Sequence, residues 1–149
     1  MSNGISDKSL PVSPGSPVSL DTFFRSDFVL SKRRLHLRYT GFWTEQIARQ
    51  VLQAFRSTLQ AASTGGRPFT LLDDFREWPP QPQDVVEIAN GFVGICREFS
   101  IARNAMVIPS ALVRMQVRRT VANYDVCEAF KTYEEADRWL VETERKIIG

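Results

Sequence analysis

The sequence predicts an α/β fold. The expected sheet is mixed but mostly parallel, with four to five strands, an opening β-hairpin and about four helices. Three observations predict it. A strand-like alternation over residues 34–40 runs directly into a helix-like pattern over 44–62. Two short apolar runs follow, 69–72 and 105–108, neither alternating, as in strands buried on both faces of a parallel sheet. Helical patterns separate these runs, which parallel pairing requires.

Size and composition fit this class. The chain has 149 residues, 43% apolar and 24% charged, enough for one domain with a core that needs no disulfide or metal. The formal net charge of +2 is too small to argue for nucleic acid. No apolar run reaches the roughly 18 residues of a membrane span. The N-terminal stretch has no apolar core of signal-peptide type, so the expected compartment is the cytoplasm. Cys96 and Cys127 are far apart in apolar surroundings and read as buried thiols, with no C-x-x-C and no metal-ligand set.

Residues 1–17 are rich in Ser, Pro and Gly and are expected to form a disordered tail; 18–149 form the single domain. Val18 to Leu30 carries one or two short strands, and Ser31 to Arg34 suits a turn. Leu35, Leu37 and Tyr39 then alternate with Arg34, His36, Arg38 and Thr40, giving one buried face and one basic, solvated face. Gly41 ends this strand. Thr44 is placed to cap the next helix and Glu45 to face its dipole. Ile47, Val51, Phe55, Leu59 and Ala62 share a helix face, and Gly65 and Gly66 stop it. The run 69–72 ends in Asp73 and Asp74, followed by a loop, 75–82.

A helix is expected over 83–99, in which Gly91 and Gly94 either permit close approach of another backbone or are neutral in a well-packed helix. Pro109 closes the next strand and Ser110 caps a helix to about residue 123. Val126 to Phe130 is the last strand. Thr132-Tyr133-Glu134-Glu135 is a capping box, starting a helix that buries Tyr133, Ala136, Trp139, Leu140, Thr143 and Ile147.

Three stretches carry a family resemblance: Tyr39 to Thr44 as a strand–glycine–helix entry, Phe69 to Asp73 as a central strand ending in an acid, and Ala129 to Leu140 as closing strand and helix. In this order the chain resembles the STAS-like proteins, the anti-sigma-factor-antagonist fold, in the sporulation-antagonist branch related to the Sec14 lipid-binding fold. The resemblance implies a non-enzymatic module that binds proteins, or in some members nucleotides or lipids. Its signalling members carry a phosphorylatable serine at the start of the helix after the central strand. Here no serine or threonine lies between Thr70 and Ser100. No cofactor is implied.

The candidate contact surface is Asp73, Asp74, Arg76 and Trp78, at the strand ends where α/β sheets bind ligands. In the alternative reading, Asp73 caps a turn, Asp74 is solvated and Trp78 fills the core. A second candidate is Ser110 with Arg114 and Arg118, suited to an anionic group such as a phosphate. His36, the sole histidine, has no orienting partner nameable from sequence. Two functions follow: a regulatory module binding another protein or a second copy of itself, or a carrier of a small apolar or lipid-like ligand. An enzyme using the aspartate pair is the third.

Overall fold

The computed structural model describes residues 19–148. The tail expected over 1–17 lies outside the described residues. Strands β1 (Phe24–Val29) and β2 (Arg34–Thr40) pair antiparallel as the opening hairpin. Strands β3 (Phe69–Glu77), β4 (Ile101–Val107) and β5 (Cys127–Phe130) add in parallel, giving the order β1-β2-β3-β4-β5.

Helices α1 (Glu45–Ala62), α2 (Gln83–Ala89), α3 (Gly91–Cys96) and α4 (Ala111–Arg118) pack on one face of the sheet. Helix α5 (Tyr133–Ile148) covers the other with Ala136 and Leu140 against Leu72, Ala105 and Val107. The expected helix over 83–99 is thus two short helices broken at Asn90. Both Asn90 and Gly91 favour the helix weakly, and the Thr120 hydroxyl donates to the Asn90 side chain. Among the described residues, no backbone crowds the two helix glycines. A Cβ at Gly91 would meet the Leu52 side chain at 3.5 Å, and one at Gly94 would meet nothing. The helix expected to reach residue 123 stops at Arg118.

The strand-to-helix entry forms as the sequence predicts. Gly41 takes φ 83°, and the Thr44 hydroxyl accepts from the Ile47 N–H at 3.2 Å. A Cβ on Gly41 would lie 3.2 Å from the Phe23 ring. Gly41→Ala is therefore expected to lose about 1–2 kcal/mol in urea denaturation. An unchanged midpoint would mean that the backbone turns here without a left-handed residue. The capping box also forms: the Glu135 N–H donates to the Thr132 hydroxyl at 3.2 Å, and the Thr132 N–H to the Glu135 carboxylate at 3.3 Å.

One sequence expectation is overturned on the α5 face. Arg34, expected in solvent beside His36 and Arg38, is only 2% exposed. It donates to both carboxylate oxygens of Glu144, at 2.6 and 2.9 Å, and to Asp137 at 2.8 Å. The Thr70 hydroxyl adds a 2.7 Å bond to Glu144. The buried positions of α5 are Ala136, Leu140 and Glu144; Tyr133, Trp139, Thr143 and Ile147 are half-buried.

Candidate functional site

Strand β3 does not end at the aspartates. It runs on to Glu77, so Asp73, Asp74 and Arg76 lie within the sheet. Alternation along a strand sends neighbouring side chains to opposite faces. Asp73 faces α1–α4 and Asp74 faces α5, so the two carboxylates cannot act as a pair. The single surface expected from Asp73, Asp74, Arg76 and Trp78 does not form.

On the α5 face, Asp74 accepts from Arg76 through Nε at 2.9 Å and Nη2 at 2.7 Å. His36 Nε2 lies 3.4 Å away and Arg38 Nε 3.8 Å, and the Tyr133 ring lies beside His36. This supplies the orienting partner that the sequence did not name. Burial alone would raise the Asp74 pKa, but the bonds from His36 and Arg76 hold it well below the ordinary carboxylate value. Asp74 is a fixed anion, neutralised locally.

On the other face, Asp73 accepts from the Tyr39 hydroxyl at 2.7 Å and from the Asn104 amide at 2.9 Å. Burial dominates here and pushes its pKa up to about 6, with the Asn104 and Tyr39 bonds opposing the rise. Asp73 lines a cavity of about 60 Å³ between the sheet and α1–α4. Tyr39, Trp43, Phe55, Phe75, Trp78 and Phe92 form its aromatic walls, and Cys96, Met106, Val117, Val121 and Tyr124 are also in its lining. Phe75 stacks on Tyr39 with ring centres 4.6 Å apart, and Trp78 meets Trp43 edge-on at 5.3 Å. Burial also lifts the Cys96 thiol to about 12, with Asp73 adding to the rise, so that sulfur is uncharged at neutral pH.

Among the described residues, two polar atoms in this lining find no hydrogen-bond partner: Trp78 Nε1 and Tyr124 Oη. Their residues are 5% and 8% exposed. Tyr124 Oη sits beside the Cys96 sulfur without a bond of normal geometry. A buried donor without an acceptor costs about 1–3 kcal/mol, so these atoms mark a place where something polar belongs.

Buried Gln81 ties the loop over 78–82 to the entry of α1 and to α4. Its side chain accepts from the Trp43 N–H at 2.9 Å and donates to the Gly41 and Pro79 carbonyls at 3.0 and 2.8 Å. Its backbone exchanges two bonds with the Gln116 side chain of α4, at 3.2 and 3.0 Å. Nothing in the sequence pattern marks Gln81 within its proline-rich loop. Tyr39 and Asn104 were visible only as a strand residue and as the residue before an apolar run.

The second candidate group is placed differently from the expected anion site. The Ser110 hydroxyl accepts from the Val113 N–H at 3.3 Å as an N-cap. Arg114 turns back to the Ile108 and Pro109 carbonyls at 2.7 and 3.1 Å. Arg118 is exposed on the last turn of α4.

No family model matches the sequence, and no curated protein matches it significantly. Solved structures do match. The anti-sigma factor antagonist SpoIIAA in its unphosphorylated form superposes with a TM-score of 0.52 at 16% identity, over 80% of this chain and 97% of that one. The fold is SpoIIAA-like. An uncharacterized protein with a SpoIIAA-like fold from Shewanella loihica superposes with a TM-score of 0.56 at 19% identity, over 84% of this chain and 99% of that one. The SpoIIAA-like architecture agrees with the STAS-like resemblance in the sequence, including its antiparallel opening hairpin. Among the described residues, no helix is long and apolar enough to cross a membrane.

Proposed function

We propose that this chain is a non-enzymatic STAS-type regulatory module of the cytoplasm, whose interior cavity binds a small, largely apolar ligand. The observation that carries the reading is the aromatic cavity with two orphaned polar atoms, Trp78 Nε1 and Tyr124 Oη. An apolar pocket with a few convergent polar groups and a perturbed carboxyl is the usual form of a small-molecule site. The likeness to an anti-sigma factor antagonist supports a protein partner for the outer surface. The exposed parts of Arg38 and Arg76 around Asp74 are the charged contacts that such a partner would meet. Between β3 and α2 the chain runs Trp78-Pro79-Pro80-Gln81-Pro82, with no hydroxyl to phosphorylate. Ligand occupancy then takes the place of phosphorylation in setting partner affinity.

Native mass spectrometry of protein purified gently from its own cells tests this. The expected result is one bound small molecule of defined mass. A bare chain accompanied by a stoichiometric protein would sink the ligand reading and leave an interaction module alone.

A further inference from the structure

We infer that the cavity selects a small organic ammonium, with Asp73 as its counter-charge and the surrounding aromatic rings as its walls. The inference rests on the ligand-binding reading above and adds the sign of the ligand's charge.

The charge inventory carries it. Among the described residues that line the cavity, none is Lys, Arg or His, and Asp73 is the sole carboxylate. Among the described residues, its two oxygens accept from neutral donors only, the Tyr39 hydroxyl and the Asn104 amide. His36 acts on it only at a distance, from the opposite face of the sheet. Exposed Arg97 packs 5.9 Å from the Tyr124 ring centre and donates to the Asn123 carbonyl, so it is not the missing cation. A buried carboxylate without a cation is costly, and a cationic ligand offsets that cost. A carboxylate or phosphate ligand would add a second like charge in a low-dielectric space.

The walls agree with a cation. Tyr39, Trp43, Phe75 and Trp78 surround the space beside Asp73. Aromatic faces attract ammonium groups, most strongly when both are desolvated. The orphaned Trp78 N–H is a donor only, so an acceptor on the ligand, such as a hydroxyl or ether oxygen, adds to binding without setting the charge preference. The orphaned Tyr124 hydroxyl can accept an ammonium N–H. The cavity volume of about 60 Å³ suits a compact ammonium head. A benzene-sized body takes about 150 Å³, so an apolar tail has to extend beyond this volume.

The test is a matched series on the full chain: hexylammonium, 1-hexanol and hexanoate, titrated calorimetrically at pH 7.5 against wild type and Asp73→Asn. The expected order for wild type is hexylammonium at least tenfold tighter than 1-hexanol, with hexanoate weakest. Asp73→Asn is expected to lose the ammonium preference and keep hexanol binding. Hexanol binding as tightly as hexylammonium, or hexanoate binding best, overturns the charge assignment while leaving a ligand cavity. Binding by none of the three overturns both readings, the cavity then holding water alone. Should Asp73→Asn fail to fold, the wild-type series still decides.

Discussion

Glu144→Ala is expected to lower the unfolding free energy by about 3–5 kcal/mol, the range for removing one partner of a buried ion pair. Both Arg34 and Glu144 are 2% exposed. Among the described residues, removing the carboxylate leaves the Arg34 guanidinium with its Asp137 bond alone and leaves the Thr70 hydroxyl with only a long 3.5 Å contact to the Arg33 carbonyl. In a chain of this size the loss corresponds to a fall of roughly 10–20 °C in Tm. Substituting both members together, Arg34→Met with Glu144→Leu, is expected to restore most of the stability, because no charge is then left buried. Thermal denaturation of the single and double variants checks this. A single-variant loss below 1 kcal/mol would mean that water reaches Arg34 beneath α5. The cavity lies on the opposite face, so the double variant is also expected to keep ligand binding.

The reading of this pair shows what the sequence could and could not carry. Local signals were sufficient for the hairpin, the Gly41 entry, the Thr44 and Ser110 caps, and the closing capping box, since each involves residues within a few positions. The buried pair spans 110 residues, and a charged residue in a strand reads as solvent-facing when its partner lies that far along the chain. A signal was nevertheless present. Ala136, Leu140 and Glu144 recur every four residues, which puts Glu144 on the buried stripe of α5 in place of Thr143 and Ile147. The aspartates misled for a related reason. An acid after an apolar run usually marks a strand end, but here Tyr39, Asn104, His36 and Arg76 satisfy both carboxylates inside the sheet. The cavity itself was illegible, because its lining comes from all four helices of one face and three strands, none of which shows a pocket alone.

Asp73 is expected to make the protein less stable as pH rises from 4 to 7, by about 3 kcal/mol in total. The sign follows from linkage. Burial raises the folded-state pKa from the ordinary 3.8 to about 6, so the folded state holds this proton more tightly than the unfolded chain does. The contribution is fully present below about pH 4 and is lost as pH climbs through 6. The gap of roughly two pKa units, at about 1.4 kcal/mol each, sets the magnitude. The groups facing Asp73 are Tyr39 from β2, Asn104 from β4 and, nearby, Cys96 from α3; both Tyr39 and Cys96 titrate well above this window. Asp74 and Asp137 act in the opposite sense, but their lowered values confine their loss of stability to more acid pH. Urea denaturation at half-unit steps from pH 4 to 7.5 reads the slope, and Asp73→Asn is expected to flatten it between pH 5 and 7. A wild-type profile flat over that range would mean that the carboxylate is hydrated through the cavity mouth. Saturating hexylammonium provides the link to function. A cation seated beside Asp73 stabilises its ionised form, so it is expected to remove the same slope from the wild type. A cationic ligand that pairs with Asp73 recovers part of the free energy that the empty site loses by keeping this carboxylate charged at neutral pH.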